Sequence, residues 1–115
     1  MSYQKVFFAW QAFRAMSDKQ TQREMELQLF RIGDYYIAGT PTQIFTEFGK
    51  RIKKGIGTHC MVSAFANDYC GYVPMAQFIG EPNVYEAKLC PTSALAPEAG
   101  DLIVEGILSL KEICQ

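Results

Sequence analysis

The sequence predicts an α/β fold: a two-layer sandwich in which helices cover a small mixed β-sheet. Apolar residues recur at helical spacing near both ends, strand-type alternation surrounds a glycine turn, and a nearly continuous apolar run occupies 59–66. The predicted element order is α-β-β-α-β-loop-α. With 115 residues, 49% of them hydrophobic, residues 1–115 have the size and composition of a single domain.

Residues 3–16 are predicted to form a helix that is apolar on more than one side. Five apolar residues recur at helical spacing and form one stripe: Tyr3, Val6, Phe7, Trp10 and Phe13. Four further apolar residues widen it: Phe8, Ala9, Ala12 and Met16. Such a helix needs two surfaces to pack against. Two arrangements are open: the domain's own sheet with solvent beyond it, or a partner subunit. A polar linker follows, so that 1–24 comprises this helix and the linker.

The next segment predicts a β-hairpin. Met25, Leu27 and Leu29 alternate with polar residues, which is the period of a strand. Gly33-Asp34 is suited to a two-residue turn, and the return strand then runs over 35–38 and ends at Gly39.

The second half predicts two helices around a buried strand. A helix is expected over about 43–54, ended by Gly55 and Gly57. The run 59–66 predicts a buried central strand, and 67–96 predicts a long ordered loop. A terminal helix follows from Pro97, with buried positions expected at Ala99, Ile103, Gly106, Ile107, Leu110 and Cys114.

Composition excludes several classes of function. A net charge of -1 and a pI near 5.8 argue against nucleic-acid binding, which needs a basic face. The sequence shows neither an apolar run of about 20 residues nor a signal-peptide pattern, so a cytoplasmic protein without a transmembrane segment is expected. No Cys-x-x-Cys pair occurs. An even count would permit two disulfides in a secreted protein, but buried free thiols are expected at all four cysteines, Cys60, Cys70, Cys90 and Cys114.

The polar and aromatic residues after the predicted central strand are candidates for ligand binding. Tyr69 and Tyr72, with Asn67 and Asp68, follow that strand at its carboxyl end, where open α/β sheets bind ligands. The alternative is that the two rings cap the sheet edge. His59 is the only histidine and has no metal-ligand partners at suitable spacing, which favours a structural role.

Several blocks in order resemble the closing part of neutral/alkaline ceramidase-family proteins, over about residues 25–115. These blocks are Arg31-Ile-Gly-Asp-Tyr-Tyr-Ile-Ala-Gly-Thr-Pro-Thr-Gln43, Phe45-x-Glu47-x-Gly49, Phe65-Ala-Asn-Asp-Tyr-Cys-Gly-Tyr-Val-Pro74, Tyr85-Glu-Ala87 and Leu95-Ala-Pro-Glu-Ala-Gly100. The resemblance implies a relationship to zinc amidohydrolases that cleave the N-acyl bond of ceramide. In that family two earlier histidines hold the metal together with a glutamate of a Pro-Gly-Glu motif and a tyrosine.

The resemblance assigns the two closing metal ligands to Gln43 and Tyr72. Pro41-Thr42-Gln43 aligns with Pro-Gly-Glu, so an amide stands where the carboxylate is expected. A neutral amide oxygen is a poorer zinc ligand. The family's histidines and serine nucleophile have no counterparts here. We therefore expect no catalytic residue in this chain and no cofactor for the isolated chain, with zinc bound only if a partner completes the site.

Three functional hypotheses follow. The chain is a ceramidase-like fragment or subunit, inactive alone and joined through residues 3–16 to a partner that carries the upstream half. Alternatively, it is a free-standing, homo-oligomeric binding or assembly module. A third alternative is a zinc amidohydrolase whose site is completed between subunits, with His59 brought near Tyr72 of a neighbour.

Overall fold

The structure, a computed structural model, describes residues 3–17, 22–57 and 59–114. Its helices and strands, in chain order, are α1 (Tyr3–Met16), β1 (Gln28–Ile32), β2 (Tyr35–Gly39), β3 (Gln43–Ile44), α2 (Thr46–Ile56), β4 (Cys60–Ser63), β5 (Tyr72–Val73) and α3 (Ala99–Ile113). Two single 3-10 turns lie at Ala76–Phe78 and Tyr85–Ala87. The predicted small α/β fold with a mixed sheet is confirmed.

The main sheet has three strands in the order β1-β2-β4. Strands β1 and β2 form the predicted antiparallel hairpin, in which Ile32 pairs with Tyr35 across the Gly33-Asp34 turn. Gly33 has a φ of 62°, a conformation that glycine adopts at little cost. Strand β4 adds to β2 in parallel, so β2 is the central strand.

The prediction of a buried central strand at 59–66 is wrong in its position and burial. The strand covers only Cys60–Ser63 and lies at an edge of the sheet. Its exposure alternates, with Cys60 and Val62 half-buried and Met61 64% exposed. The run is apolar on both faces, but the described elements cover only one of them.

The helix predicted at 43–54 begins later. Gln43 and Ile44 form the short strand β3, and α2 starts at Thr46. Backbone hydrogen bonds explain the difference, because the amides of Gln43 and Phe45 donate to the carbonyls of Gly71 and Val73. Gly55 lies inside α2, and Gly57 ends it. Strand β1 also starts later than predicted: the alternation of apolar and polar residues begins at Met25, but the strand begins at Gln28.

The core lies between the inner face of the sheet and the pair α2 and α3. Its buried members are Ala38, Phe48, Ile52, Ile56, Val73, Ile103, Val104 and Ile107. Helices α2 and α3 approach closely because Gly100 faces the ring of Phe48, where a β-carbon would overlap ring atoms. This packing holds one face of the sheet and leaves the other uncovered.

The segment predicted as a long loop contains local order. It holds β5, the two 3-10 turns and an isolated antiparallel bridge between Cys90 and Ser93. All four cysteines are free, but the expected burial holds only for Cys70, since Cys60, Cys90 and Cys114 are half-buried.

Helix α1 has two opposite faces. Phe8, Gln11, Ala12 and Ala15 form a half-buried inner face, and the ring of Phe8 packs edge-on against Tyr85, with centroids 5.9 Å apart. Val6, Trp10 and Phe13 lie on the opposite face and are 51%, 53% and 66% exposed. The helix therefore packs on its own domain by one side only. In the described part of the chain, no helix combines the length and apolarity that crossing a membrane requires.

Candidate functional site

Gln43 and Tyr72 are direct neighbours in the fold. Strands β3 and β5 pair in parallel as a separate two-stranded sheet, in which Gln43 is opposite Tyr72 and Ile44 is opposite Val73. Residues opposite each other in a parallel pair project their side chains to the same face. Both side chains line one open cleft. The fold thus joins the two residues that the family resemblance selected.

A buried segment holds this pair at the end of the central strand. After β2, Thr40, Pro41 and Thr42 pass through the interior, and the hydroxyl oxygens of Thr40 and Thr42 are hydrogen-bonded at 2.6 Å. The following loop is tied to this segment, since the amide of Ala66 donates to Thr40 O and that of Cys70 to Pro41 O. The strand-to-strand geometry at Gln43 is fixed by these bonds.

A glycine fixes the entry to β5. Gly71 has a φ of 80°, and a β-carbon there would overlap the carbonyl of Thr92. The next amide, that of Tyr72, donates to Ser93 Oγ at 3.0 Å. The 91–93 loop therefore packs directly against the strand that carries Tyr72.

The cleft is lined by both apolar and polar side chains and has a volume of about 730 Å³. Apolar side chains come from Ile44, Phe45, Met75, Phe78 and Val84, and polar ones come from Gln43, Thr46, Glu47, Tyr72, Gln77 and Glu86. The rings of Phe45 and Phe78 lie 6.0 Å apart. Such a lining suits an amphiphile that has an apolar chain and a polar head.

The surroundings of Tyr72 disfavour its phenolate form. Desolvation raises the pKa of Tyr72 above its ordinary value, and the neighbouring Tyr85, Tyr69 and Glu86 raise it further. The ring of Tyr85 meets that of Tyr72 edge-on at 6.1 Å. A cation at the phenol oxygen would favour the phenolate.

Two carboxylates of the cleft are absent from the sequence-based set of site residues. Glu47 lies in the first turn of α2, and Glu86 lies in the second 3-10 turn. Both belong to the blocks of the family resemblance, which was the available signal. Glu47 also accepts a hydrogen bond from Lys50 at 3.2 Å.

The other predicted ligand-binding residues do not share this cleft. Asn67 and Asp68 line a separate depression together with Glu24, Glu26 and Ala66. Asn67 Nδ2 donates to Gln28 Oε1 at 2.8 Å. Asp68 Oδ1 accepts from the amide of Tyr69 at 2.7 Å. These bonds give Asn67 and Asp68 structural roles in the loop.

Tyr69 stacks on Phe65 at the surface. The ring centroids are 5.5 Å apart and the rings are nearly parallel, at 17°. The carbonyl of Tyr69 accepts a hydrogen bond from Arg23 at 2.9 Å. This matches the sheet-edge alternative for Tyr69, whereas Tyr72 faces the cleft.

His59 lies at the other end of the main sheet. Its carbonyl accepts a bond from the amide of Tyr36, at the start of β2, and its ring lies 4.8 Å from that of Tyr35. Gln43 follows the opposite end of β2. Within one chain the histidine is therefore not part of the cleft.

A smaller cavity of about 370 Å³ lies between α3, the 22–27 segment and the 91–96 loop. Its walls are mainly apolar and include Met25, Leu27, Leu95 and Ile103. It contains none of the residues predicted to bind a ligand.

The cleft offers oxygen atoms that could act as metal ligands, but its described residues do not form a complete metal-binding site. Gln43 and Tyr72 provide two neutral oxygens, and Glu47 and Glu86 provide carboxylates at its edge. Over residues 3–17, 22–57 and 59–114, no three His, Cys, Asp or Glu side chains lie together as a metal site would require. Comparison of the chain with protein-family models, with curated proteins and with solved structures yields no match.

Proposed function

We propose that this chain is a cytoplasmic, ceramidase-like fragment or subunit that binds an N-acyl amide and is not catalytically competent alone. The pairing of Gln43 with Tyr72 carries the proposal. Ligands of one metal must be neighbours, and the two residues that the resemblance aligned with ligands are opposite each other in adjacent strands. The separation of Gln43 and Tyr72 along the sequence does not by itself require that they be neighbours.

The lining of the cleft indicates the class of ligand. Its apolar side chains, among them the neighbouring Phe45 and Phe78, suit an acyl chain, and the Gln43 amide and Tyr72 phenol suit a polar head that donates and accepts hydrogen bonds. Glu86 disfavours a free fatty acid, whose carboxylate it would repel, whereas the charge of Glu47 is paired with that of Lys50. A neutral N-acyl amino alcohol is therefore preferred over the corresponding fatty acid.

Three features make the chain inactive by itself. The Gln43 amide cannot offset the charge of zinc. The surroundings of Tyr72 raise the pKa of its phenol, which disfavours the phenolate that a metal ion would bind. The two histidines of the family's site have no counterpart in a sequence with one histidine. A partner that supplies zinc ligands would complete the site.

Restoring the carboxylate tests the two ligand positions. We expect wild type to bind zinc weakly and Gln43→Glu to bind it at least tenfold more tightly, measured by equilibrium dialysis with metal analysis. Adding Tyr72→Phe to Gln43→Glu should cancel the gain. The matched control is Gln77→Glu, which adds a carboxylate to the same cleft at an exposed position. Equal affinities of Gln43→Glu and Gln77→Glu would contradict the assignment.

Activity and stoichiometric zinc are the outcomes that overturn the proposal. Hydrolysis of a short-chain N-acyl sphingoid amide by the isolated wild-type chain would show that it is a complete enzyme. Stoichiometric zinc in wild type that is lost in His59→Ala would instead favour a site completed between subunits. Binding itself is measured by calorimetry with the same amide and with the matching fatty acid.

A second candidate function is a homo-oligomeric binding or assembly module, and the outer face of α1 favours it. Val6, Trp10 and Phe13 form one stripe on that face, and each is at least half exposed. Large apolar stripes of this kind mark interaction surfaces. Light scattering over a range of concentrations tests for the oligomer.

A further inference from the structure

The uncovered face of the main sheet is apolar. The three strands align Phe30, Ile37 and Met61 in one row across this face. Ile32 and Tyr35 lie beside that row as a cross-strand pair. Phe30, Ile32, Tyr35 and Met61 are 54–65% exposed. We call these five residues the open sheet face.

The opposite face of the sheet explains why this side is left open. Leu29, Tyr36, Ala38, Cys60 and Val62 alternate with the residues of the open sheet face and pack toward α2 and α3. Among the described residues, helices therefore cover only this one face of the sheet. A sheet that is apolar on both faces is normally covered on both.

Helix α1 does not cover the open sheet face of its own chain. Its inner face meets the 85–96 region, where Phe8 contacts Tyr85 and Lys88, and Ala15 lines a cavity with Leu95. Its outer stripe points the opposite way. Each chain therefore carries two uncovered apolar surfaces, one on a helix and one on a sheet.

We propose that the outer stripe of α1 in one copy of this chain packs on the open sheet face of a second copy, and that the exchange is reciprocal. This deepens the second candidate function, the homo-oligomer, by naming the surface on which α1 docks. The result in each subunit is a helical layer on both faces of the sheet, supplied by its own α2 and α3 and by the partner subunit's α1.

Charge is consistent with two copies of the same chain. Val6, Trp10 and Phe13 carry no charge, and neither does any residue of the open sheet face. The net charge of -1 gives little repulsion between copies. The guanidinium of Arg14 lies over the Trp10 ring, 4.8 Å from its centroid, so the helix stripe has one cation beside it. A strongly charged partner would find no further charged group among the residues of the two surfaces.

The exposed area of the two surfaces and the length of α1 are also sufficient for a stable dimer. A large aromatic side chain buries about 150–250 Å². Seven residues of the two surfaces, together with Met16 at the end of the stripe, are 51–77% exposed. They offer on the order of 900 Å² per chain, so a reciprocal dimer buries about 1,800 Å², within the range of stable interfaces. The 14 residues of α1 span about 21 Å, which exceeds the roughly 14 Å width of three strands.

The test compares one substitution on each surface with a control outside both. Phe13→Glu alters the helix stripe and Met61→Glu alters the sheet face. Ile113→Glu alters an equally exposed apolar residue on α3, 79% accessible. By sedimentation equilibrium we expect dimers for wild type and Ile113→Glu and monomers for the other two, all with unchanged circular dichroism.

Mixing the two monomeric variants distinguishes helix-on-sheet docking from other dimers. The Met61→Glu chain keeps an intact helix and the Phe13→Glu chain keeps an intact sheet face. The mixture should form a heterodimer with one intact contact, weaker than the wild-type dimer. Trp10, the only tryptophan, provides a second readout: its emission should shift to the red in Met61→Glu but not in Ile113→Glu.

Several results would overturn the proposal. If Phe13→Glu abolishes the dimer and Met61→Glu does not, the homo-oligomer stands but α1 does not dock on the sheet. A wild-type monomer at all concentrations rejects both. A wild-type monomer that binds neutral lipid vesicles through Trp10 would also reject both the homo-oligomer and the docking of α1, since a membrane would then occupy the helix stripe.

Discussion

Gln43 in β3 is directly opposite Tyr72 in β5, and both side chains face the same cleft. The Tyr72 phenol is partly desolvated and has Tyr85, Tyr69 and Glu86 as neighbours, which together raise its pKa. The neutral form of Tyr72 is therefore stabilised in the folded chain. Its titration reports whether a cation occupies the cleft.

We predict that Tyr72 titrates above the ordinary tyrosine value of about 10. Carbon NMR of labelled tyrosine rings measures each phenol separately. Glu86→Gln should lower the pKa of Tyr72 because it removes a negative neighbour. Glu105→Gln, at an exposed position on α3, should leave it unchanged. A Tyr72 that titrates with the exposed tyrosines would contradict this account.

The same shift affects stability at alkaline pH. The folded chain holds the Tyr72 proton more tightly than the unfolded chain. The resulting contribution of Tyr72 to the free energy of unfolding is therefore complete below the unfolded-state pKa and is lost as the pH rises through the folded-state pKa. Tyr72→Phe should therefore lose less stability than wild type as the pH rises above about 10, the ordinary tyrosine pKa. Urea titrations at each pH measure the free energy of unfolding.

Two glycines in helices are predicted to respond oppositely to alanine. A β-carbon at Gly49 in α2 meets nothing within 4 Å, so Gly49→Ala should stabilise by about 0.5–1 kcal/mol through backbone entropy. A β-carbon at Gly100 in α3 overlaps the Phe48 ring, so Gly100→Ala should destabilise by about 1–3 kcal/mol.

Urea denaturation measures both glycine variants. Phe48→Leu provides the check on mechanism, since a smaller side chain should reduce the cost of Gly100→Ala in a double-mutant cycle. If Gly100→Ala stabilises as much as Gly49→Ala, then the close approach of α2 and α3 is not what requires glycine.

The parts of the fold that sequence predicts are those with local signals. Helices α1 and α3 have apolar positions repeated over three or more turns, and Gly33 marks the hairpin turn. The two-residue strands β3 and β5 are too short to show any period. Their pairing depends on contacts between distant segments, so the neighbourhood of Gln43 and Tyr72 could not be derived from spacing. Only the family resemblance linked the two residues.

The error at 59–66 has a different cause. An apolar run indicates that both faces of a strand avoid water, but it does not say what covers them. Val62 is covered by the chain's own core, whereas Met61 is exposed on the open sheet face. The expectation of two-sided burial agrees with a second copy covering Met61, and the sedimentation experiment decides the point.

Thr40 and Thr42 are predicted to be energetically coupled. Both are fully buried, and their hydroxyl oxygens are 2.6 Å apart. Thr42→Val removes one partner and leaves the other hydroxyl buried without this bond, which should cost about 1–3 kcal/mol. The double variant Thr40→Val/Thr42→Val removes both hydroxyls and should cost less than the two single variants together. Additive losses, measured by urea denaturation, would show that the bond contributes little.

The thiols of Cys90 and Cys60 are predicted to differ in reactivity. Burial opposes ionisation of Cys90, but hydrogen bonds from the side chains and backbone of Thr92 and Ser93 outweigh it and lower the pKa of the thiol. At Cys60, burial raises the pKa more than Lys53 and the backbone of Ala38 lower it. Because the thiolate is the nucleophile, Cys90 should react with iodoacetamide at lower pH than Cys60.

Mass spectrometry of peptides after brief alkylation, repeated from pH 6 to 10, measures both profiles. Thr92→Val removes the hydroxyl that lies 3.4 Å from Cys90 Sγ and should move the Cys90 profile toward higher pH without moving that of Cys60. Cys60 then serves as an internal control for folding. Faster modification of Cys60 than of Cys90 across this range would mean that accessibility, and not the hydrogen bonds around Cys90, determines which thiol reacts.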